Sequence, residues 1–274
     1  MKHIVKSQLY QIRTDLFFMI ALLTVAFLSW RCWEVCRMNM TEDIASYHLD
    51  GVCGGVAALD NSLESGAIAG LLYLSLILTI VIGKDYADKT VYCDILAGYT
   101  RQQAFRGRLL SAVIVGGSIQ LITTFAIPFS YTIRYGWGNV LDGTTYLACI
   151  AICLLIFYRI IGEITLLTVV TKRYRAALFV TIVIGYAELV ATMFTVDSGA
   201  LEEHYRVWFL SLPAAELFLH PSQMWEYQDN ADIRYYWIQM PKTSVVIGTI
   251  IISIVLGTGC LLLSSHLIKK RDMD

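Results

Sequence analysis

Apolar residues in this chain gather into runs too long for the helices of a soluble core. They lie at Leu16–Trp33, Gly66–Gly83, Leu109–Tyr131, Thr145–Thr171, Ala176–Val196 and Val245–His266, and polar or charged stretches separate them. Crossing about 30 Å of hydrocarbon takes roughly 20 apolar residues in a helix. A lipid-exposed segment must also satisfy its backbone hydrogen bonds internally. The pattern therefore predicts an all-α polytopic membrane protein of six transmembrane helices in one transmembrane domain, residues 1–274. Arg31, Cys32, Trp33 and Glu34 stand at the end of the first run where a cleaved leader would carry small residues, so that run is expected to remain as a membrane anchor.

The polar segments are unequal. Residues 84–108, between the second and third runs, are too long and too polar for a tight turn. They read as a short amphipathic helix at the membrane surface, with Tyr86, Val91, Ile95 and Leu96 on its apolar side. Residues 197–244 form the longest segment outside the runs and carry Trp208, Trp225, Tyr235, Tyr236 and Trp237, residues suited to a membrane interface.

Charge sets the orientation. Of the 21 Lys and Arg, Arg159 lies inside a run and Arg31 at the boundary of the first. Fourteen fall on the side that holds both termini: Lys2, Lys6, Arg13, Lys84, Lys89, Arg101, Arg106, Arg108, Lys172, Arg173, Arg175, Lys269, Lys270 and Arg271. The opposite side has six, Arg31, Arg37, Arg134, Arg206, Arg234 and Lys242, although its loops are longer. Positive charge is retained inside, so both termini are expected in the cytoplasm. The outer loops are acidic, with Glu42, Asp43 and Asp50 in the first and Glu202, Glu203 and Asp229 in the last.

With 57% hydrophobic and only 16% charged residues, the composition agrees with a bilayer as solvent, and a net charge of -1 gives no reason to expect a nucleic-acid partner. The seven cysteines follow no metal-binding pattern. On the outer side a disulfide from Cys53 to Cys32 or Cys36 suits bridging geometry better than the i, i+4 pair Cys32–Cys36. No phosphate-binding glycine loop, zinc-binding His pair or serine nucleophile elbow is present, and none of the five His lies deep in a run. The chain is therefore expected to be no enzyme, with no cofactor or metal of its own.

Ionisable groups inside membrane spans are costly and mark candidate sites. Arg159 and Glu163, four residues apart on the fourth run, share a helix face and can pair. Glu188, in the fifth, has no partner on its own helix. Two roles remain open for these three: an ion pair that pins helix packing, or a polar translocation path or ion relay.

The connector has a local pattern: Asp85-Tyr86-Ala87-Asp88-Lys89-Thr90, then Ile95-Leu96-Ala97-Gly98-Tyr99-Thr100-Arg101, then Arg106 and Arg108. With six spans, both ends inside, a long outer segment before the sixth span and the basic tail Lys269-Lys270-Arg271-Asp272, it resembles the ABC-2 type transporter permeases. The likeness covers most of the chain in layout and about 25 residues in motif. The chain departs from that pattern at Lys89, where Gly is usual, and at Arg108, where Lys is.

The resemblance implies a permease subunit in the cytoplasmic membrane of a bacterium, paired with a second permease chain, identical or homologous, and with two copies of an ABC ATP-binding subunit. ATP and Mg would be held by those partner subunits. The connector, together with His3–Asp15, would dock on the ATPase, with Asp85, Asp88, Lys89, Arg101 and Arg106 at the contact. The second and fifth spans would line the path, with Glu188 able to face it. Transport would be export of a peptide, lipid or drug-like substrate, multidrug or antimicrobial peptide export among them. The alternative is a secondary transporter or channel that uses Arg159, Glu163 and Glu188 as a proton or ion relay.

Overall fold

A computed structural model describes residues 2–16, 18–20, 22–23, 26–27, 75–83, 90–136, 143–171, 173–198 and 243–270. Among these the regular structure is entirely helical. In chain order the helices are α1 (Lys2–Thr14), α2 (Thr90–Leu96), α3 (Arg101–Tyr135), α4 (Gly143–Thr171), α5 (Tyr174–Ser198) and α6 (Thr243–Lys270). The described residues between 16 and 27 and those at 75–83 are helical as well. Among the described residues two stretches, Leu154–Thr171 and Val246–Lys270, are long and apolar enough to cross a membrane, and Arg175–Ala187 is a shorter apolar helix. Most of the expected outer segment 197–244 and the cysteines Cys32, Cys36 and Cys53 lie outside the described residues.

Each described long helix outruns the apolar run that predicted it. The third run began at Leu109, yet α3 begins at Arg101 and covers 35 residues. At 1.5 Å per residue that is about 52 Å, well beyond the roughly 30 Å of a bilayer core. Its first two turns therefore belong to the connector in sequence and to the long helix in structure.

The expected single connector helix is thus two elements and a turn, and the reason is local. Thr100 caps α3: Gln103 N donates to Thr100 Oγ1 at 3.2 Å, and Thr100 N donates to Gln103 Oε1 at 3.0 Å. This reciprocal box satisfies two donors of the first turn and fixes the start of the helix. α2 ends in a Schellman turn, with Tyr99 N donating to Asp94 O (3.1 Å) and Gly98 N to Ile95 O (2.9 Å). Gly98 supplies the left-handed residue the turn requires, at φ 91. An added Cβ would touch nothing there, so Gly98→Ala tests backbone strain alone. It is expected to destabilise the protein by about 1 kcal/mol, read as a lower melting temperature in mild detergent. An unchanged midpoint would mean the turn relaxes freely.

Small residues set the helix packing. Gly162 of α4 faces Gly257 of α6 so closely that a Cβ on Gly162 would lie 2.7 Å from Gly257 O and 3.0 Å from its Cα. Close backbone approach through small residues is how helices pack where lipid, not water, is the competing environment. Beside this crossing Tyr158 and Thr258 share a hydroxyl hydrogen bond of 3.0 Å. Gly116 of α3 fits against Leu78 and Phe157. Helix 75–83 meets α5 through buried Thr79 and Thr181, whose hydroxyls are 3.1 Å apart.

The contacts also fix which ends lie together. Phe105, near the start of α3, clusters with Val169 and Ile268, near the ends of α4 and α6. α5 starts just after α4 ends, so it begins at this same end. Exposed Lys6, Arg13, Arg106, Arg173, Arg175, Lys269 and Lys270 all fall there, which makes it a basic end of the bundle holding the described portions of both termini.

Candidate functional site

The base of α3 is gripped from two sides. On one, α1 lays the stripe Ile4, Gln8 and Ile12, all buried, against α3. The closest approach is at Gly107, where a Cβ would come within 2.7 Å of Ile4 Cγ2. Glycine is needed there because the α1 side chain occupies the space.

On the other side α2 turns back along α3 and an ion pair holds it. Arg108 Nη1 lies 2.7 Å from Asp94 Oδ2, with the Arg108 side chain 3% exposed and that of Asp94 22%. The same Nη1 donates to Ala104 O at 3.3 Å. The pair spans the turn, tying the last turn of α2 to the second turn of α3. Val91 of α2 is buried alongside, while the tip is open: Leu96 is 87% exposed, and Cys93, Ala97 and Gly98 are exposed too. An apolar, outward-facing tip on a braced hairpin can receive a protein partner and transmit its displacement to α3.

Of the residues the sequence assigned to this contact, Arg106 is exposed and Arg101 half-buried. Asp85, Asp88 and Lys89 lie outside the described residues. The sequence gives no signal for Asp94, and it marks Arg108 as a positive charge and a member of the connector motif, not as half of an ion pair. Their separation of fourteen residues follows neither helical nor strand periodicity, so no pattern announces the pair. The one usable signal was Arg108 itself, a cation at the mouth of an apolar run.

The second candidate site lies on α4. Arg159 Nε donates to Glu163 Oε1 at 2.7 Å, with the side chains 7% and 33% exposed. The i, i+4 pairing expected from spacing is present, and it stands beside the Gly162–Gly257 crossing. Glu188 belongs to α5, but its side chain lies outside the described residues. The structure thus brings Arg159 and Glu163 together. Among the described residues no group of three His, Cys, Asp or Glu is arranged to hold a metal ion.

Compared with known proteins, the chain matches no family model, no curated protein and no solved structure.

Proposed function

We propose that this chain is the membrane-spanning permease subunit of an ATP-driven ABC transporter. It crosses the cytoplasmic membrane six times with both termini inside, pairs with a second permease chain, and is powered by two copies of a separate ATP-binding subunit. Its substrate class is a peptide, lipid or drug-like molecule, moved outward.

The observation that carries this reading is the hairpin at the basic end. A part that converts motion of a cytoplasmic partner into motion of a membrane helix needs an accessible tip, a stiff body and a firm joint to that helix. Leu96 provides the tip, the two capped helices the body, and Asp94–Arg108 with Ile4–Gly107 the joint. The positive-inside rule puts this end in the cytoplasm, where ATP is available. α1 acts in this scheme as a brace on α3, and docking falls to the connector with Arg101 and Arg106.

The ion-relay alternative gains no support from the Arg159–Glu163 geometry. A mutually paired Arg and Glu beside a close helix crossing suit a packing role, because each neutralises the charge the other would bring into the apolar layer.

The test is to purify the tagged full chain from its native membrane in mild detergent. An ATP-binding protein should accompany it in about equal amount with vanadate-sensitive turnover, and Leu96→Asp should abolish its recovery while leaving the chain folded. Recovery of the folded wild-type chain without any ATPase would overturn the proposal.

A further inference from the structure

The face of α1 turned away from α3 has a pattern of its own. His3, Lys6, Tyr10 and Arg13 recur at three- and four-residue intervals opposite the buried stripe of Ile4, Gln8 and Ile12. All four are exposed, Tyr10 by 69%. No acidic residue occurs before Asp15, so the positive charge of this face is not offset within the helix.

Exposed side chains continue past the end of α1, beyond a break at Asp15. Thr14 closes the helix by donating its hydroxyl to Tyr10 O and Gln11 O. Asp15 starts the next one: Met19 N donates to Asp15 O at 3.0 Å, and Phe18 N to Asp15 Oδ1 at 3.4 Å. Beyond it Leu16, Ile20, Leu23 and Phe27 follow at the same three- and four-residue spacing, and all are exposed. Along the chain the exposed side chains are therefore basic and aromatic from His3 to Arg13 and apolar from Leu16 to Phe27. The change is complete within three residues.

We infer that the His3–Lys6–Tyr10–Arg13 face of α1 is a binding surface for anionic lipid headgroups of the cytoplasmic leaflet. A surface that passes from headgroups into hydrocarbon requires this sequence of chemistries: cations that reach phosphate, an aromatic ring at the boundary, then apolar side chains. The step along the chain from exposed cations to exposed apolar side chains within three residues selects lipid over a protein partner, since a segment bound to a cytoplasmic protein would have no need to lead directly into hydrocarbon-facing residues. Lipid held here would clamp α1 against the membrane surface and, through Ile4 on Gly107, hold the base of α3 at a fixed depth. The inference rests on the membrane reading but not on the identity of the ATPase partner.

The experiment equilibrates the purified full chain in mild detergent with equal amounts of phosphatidylglycerol and phosphatidylcholine and counts retained lipids by native mass spectrometry. Wild type should retain phosphatidylglycerol in excess. Lys6→Gln with Arg13→Gln should reduce that excess by about fivefold per charge removed at low salt, with the melting temperature measured without added lipid unchanged. Equal retention of the two lipids would overturn the inference, as would an equal loss from Lys269→Gln with Lys270→Gln, which would make bulk charge at this end the cause. Retention unchanged in the Lys6/Arg13 variant while recovery of a cytoplasmic protein falls would overturn it in favour of protein docking. Release of the chain from native membranes by alkaline carbonate would overturn the membrane reading as well, whereas carbonate resistance without lipid preference overturns this inference alone.

Discussion

Replacing Asp94 by Ala is expected to lower stability by about 3 kcal/mol, because it leaves a buried guanidinium without its carboxylate. Arg108 is only 3% exposed, so water cannot take over the role of Asp94, whose own 22% exposure keeps the figure toward the lower end of the range for buried pairs. Replacing both members with apolar residues, Asp94→Leu with Arg108→Met, should cost much less than Asp94→Ala alone, since no charge is then left to desolvate. Thermal unfolding in mild detergent reads both. The double variant carries the functional information. It restores packing without the directed contact across the turn, so under the coupling proposal the ATPase should still bind while its turnover no longer responds to the permease. Asp94→Ala as stable as wild type would remove the joint from the mechanism.

Gly162→Ala is expected to be the most damaging methyl group that can be added to the described helices, at about 2 kcal/mol. The new Cβ would lie 2.7 Å from Gly257 O and 3.0 Å from Gly257 Cα. Those are backbone atoms and no rotamer moves them aside, so α4 and α6 must separate. Gly257→Ala is a milder test, because its nearest neighbour is the Tyr158 ring at 2.7 Å, which can swing at the expense of the Tyr158–Thr258 hydrogen bond. Gly259, two residues further along α6 and so on its other side, would meet nothing within 4 Å. There alanine should be neutral or slightly stabilising, since it lowers the backbone entropy lost on folding. Melting temperatures should therefore rank Gly259→Ala above Gly257→Ala and Gly257→Ala above Gly162→Ala. Any other order would mean that the α4–α6 crossing is looser than its geometry.

The two candidate sites were legible to different degrees. Arg159 and Glu163 were readable because an i, i+4 ion pair is made within one helix and needs no knowledge of its neighbours. Asp94 and Arg108 were not, because their meeting depends on a chain reversal whose parts, the Gly98 turn and the Thr100–Gln103 box, appear in sequence only as a few polar residues. For the same reason the sequence pattern of the connector predicts one amphipathic helix. Val91, Ile95 and Leu96 have helical spacing, but only Val91 is buried, and Leu96 at the end of the helix points outward. Hydropathy likewise placed the start of the third helix at Leu109, where apolar character begins. Capping, which hydropathy does not register, placed it at Arg101.

Composition along the chain was enough to predict helical segments long enough for a bilayer, a concentration of Lys and Arg toward one side, and the self-paired Arg159–Glu163. These follow from local rules, the cost of unsatisfied backbone in lipid and the geometry of a single helix. Which helices touch, and through which residues, emerges only from their packing in three dimensions. Gly162 on Gly257, Ile4 on Gly107, and Arg108 on Asp94 join positions far apart in the chain. Whether a glycine is a spacer or a contact, and whether an arginine is solvated or buried, is set by what the neighbouring helix brings to it, and no periodicity within one helix carries that information.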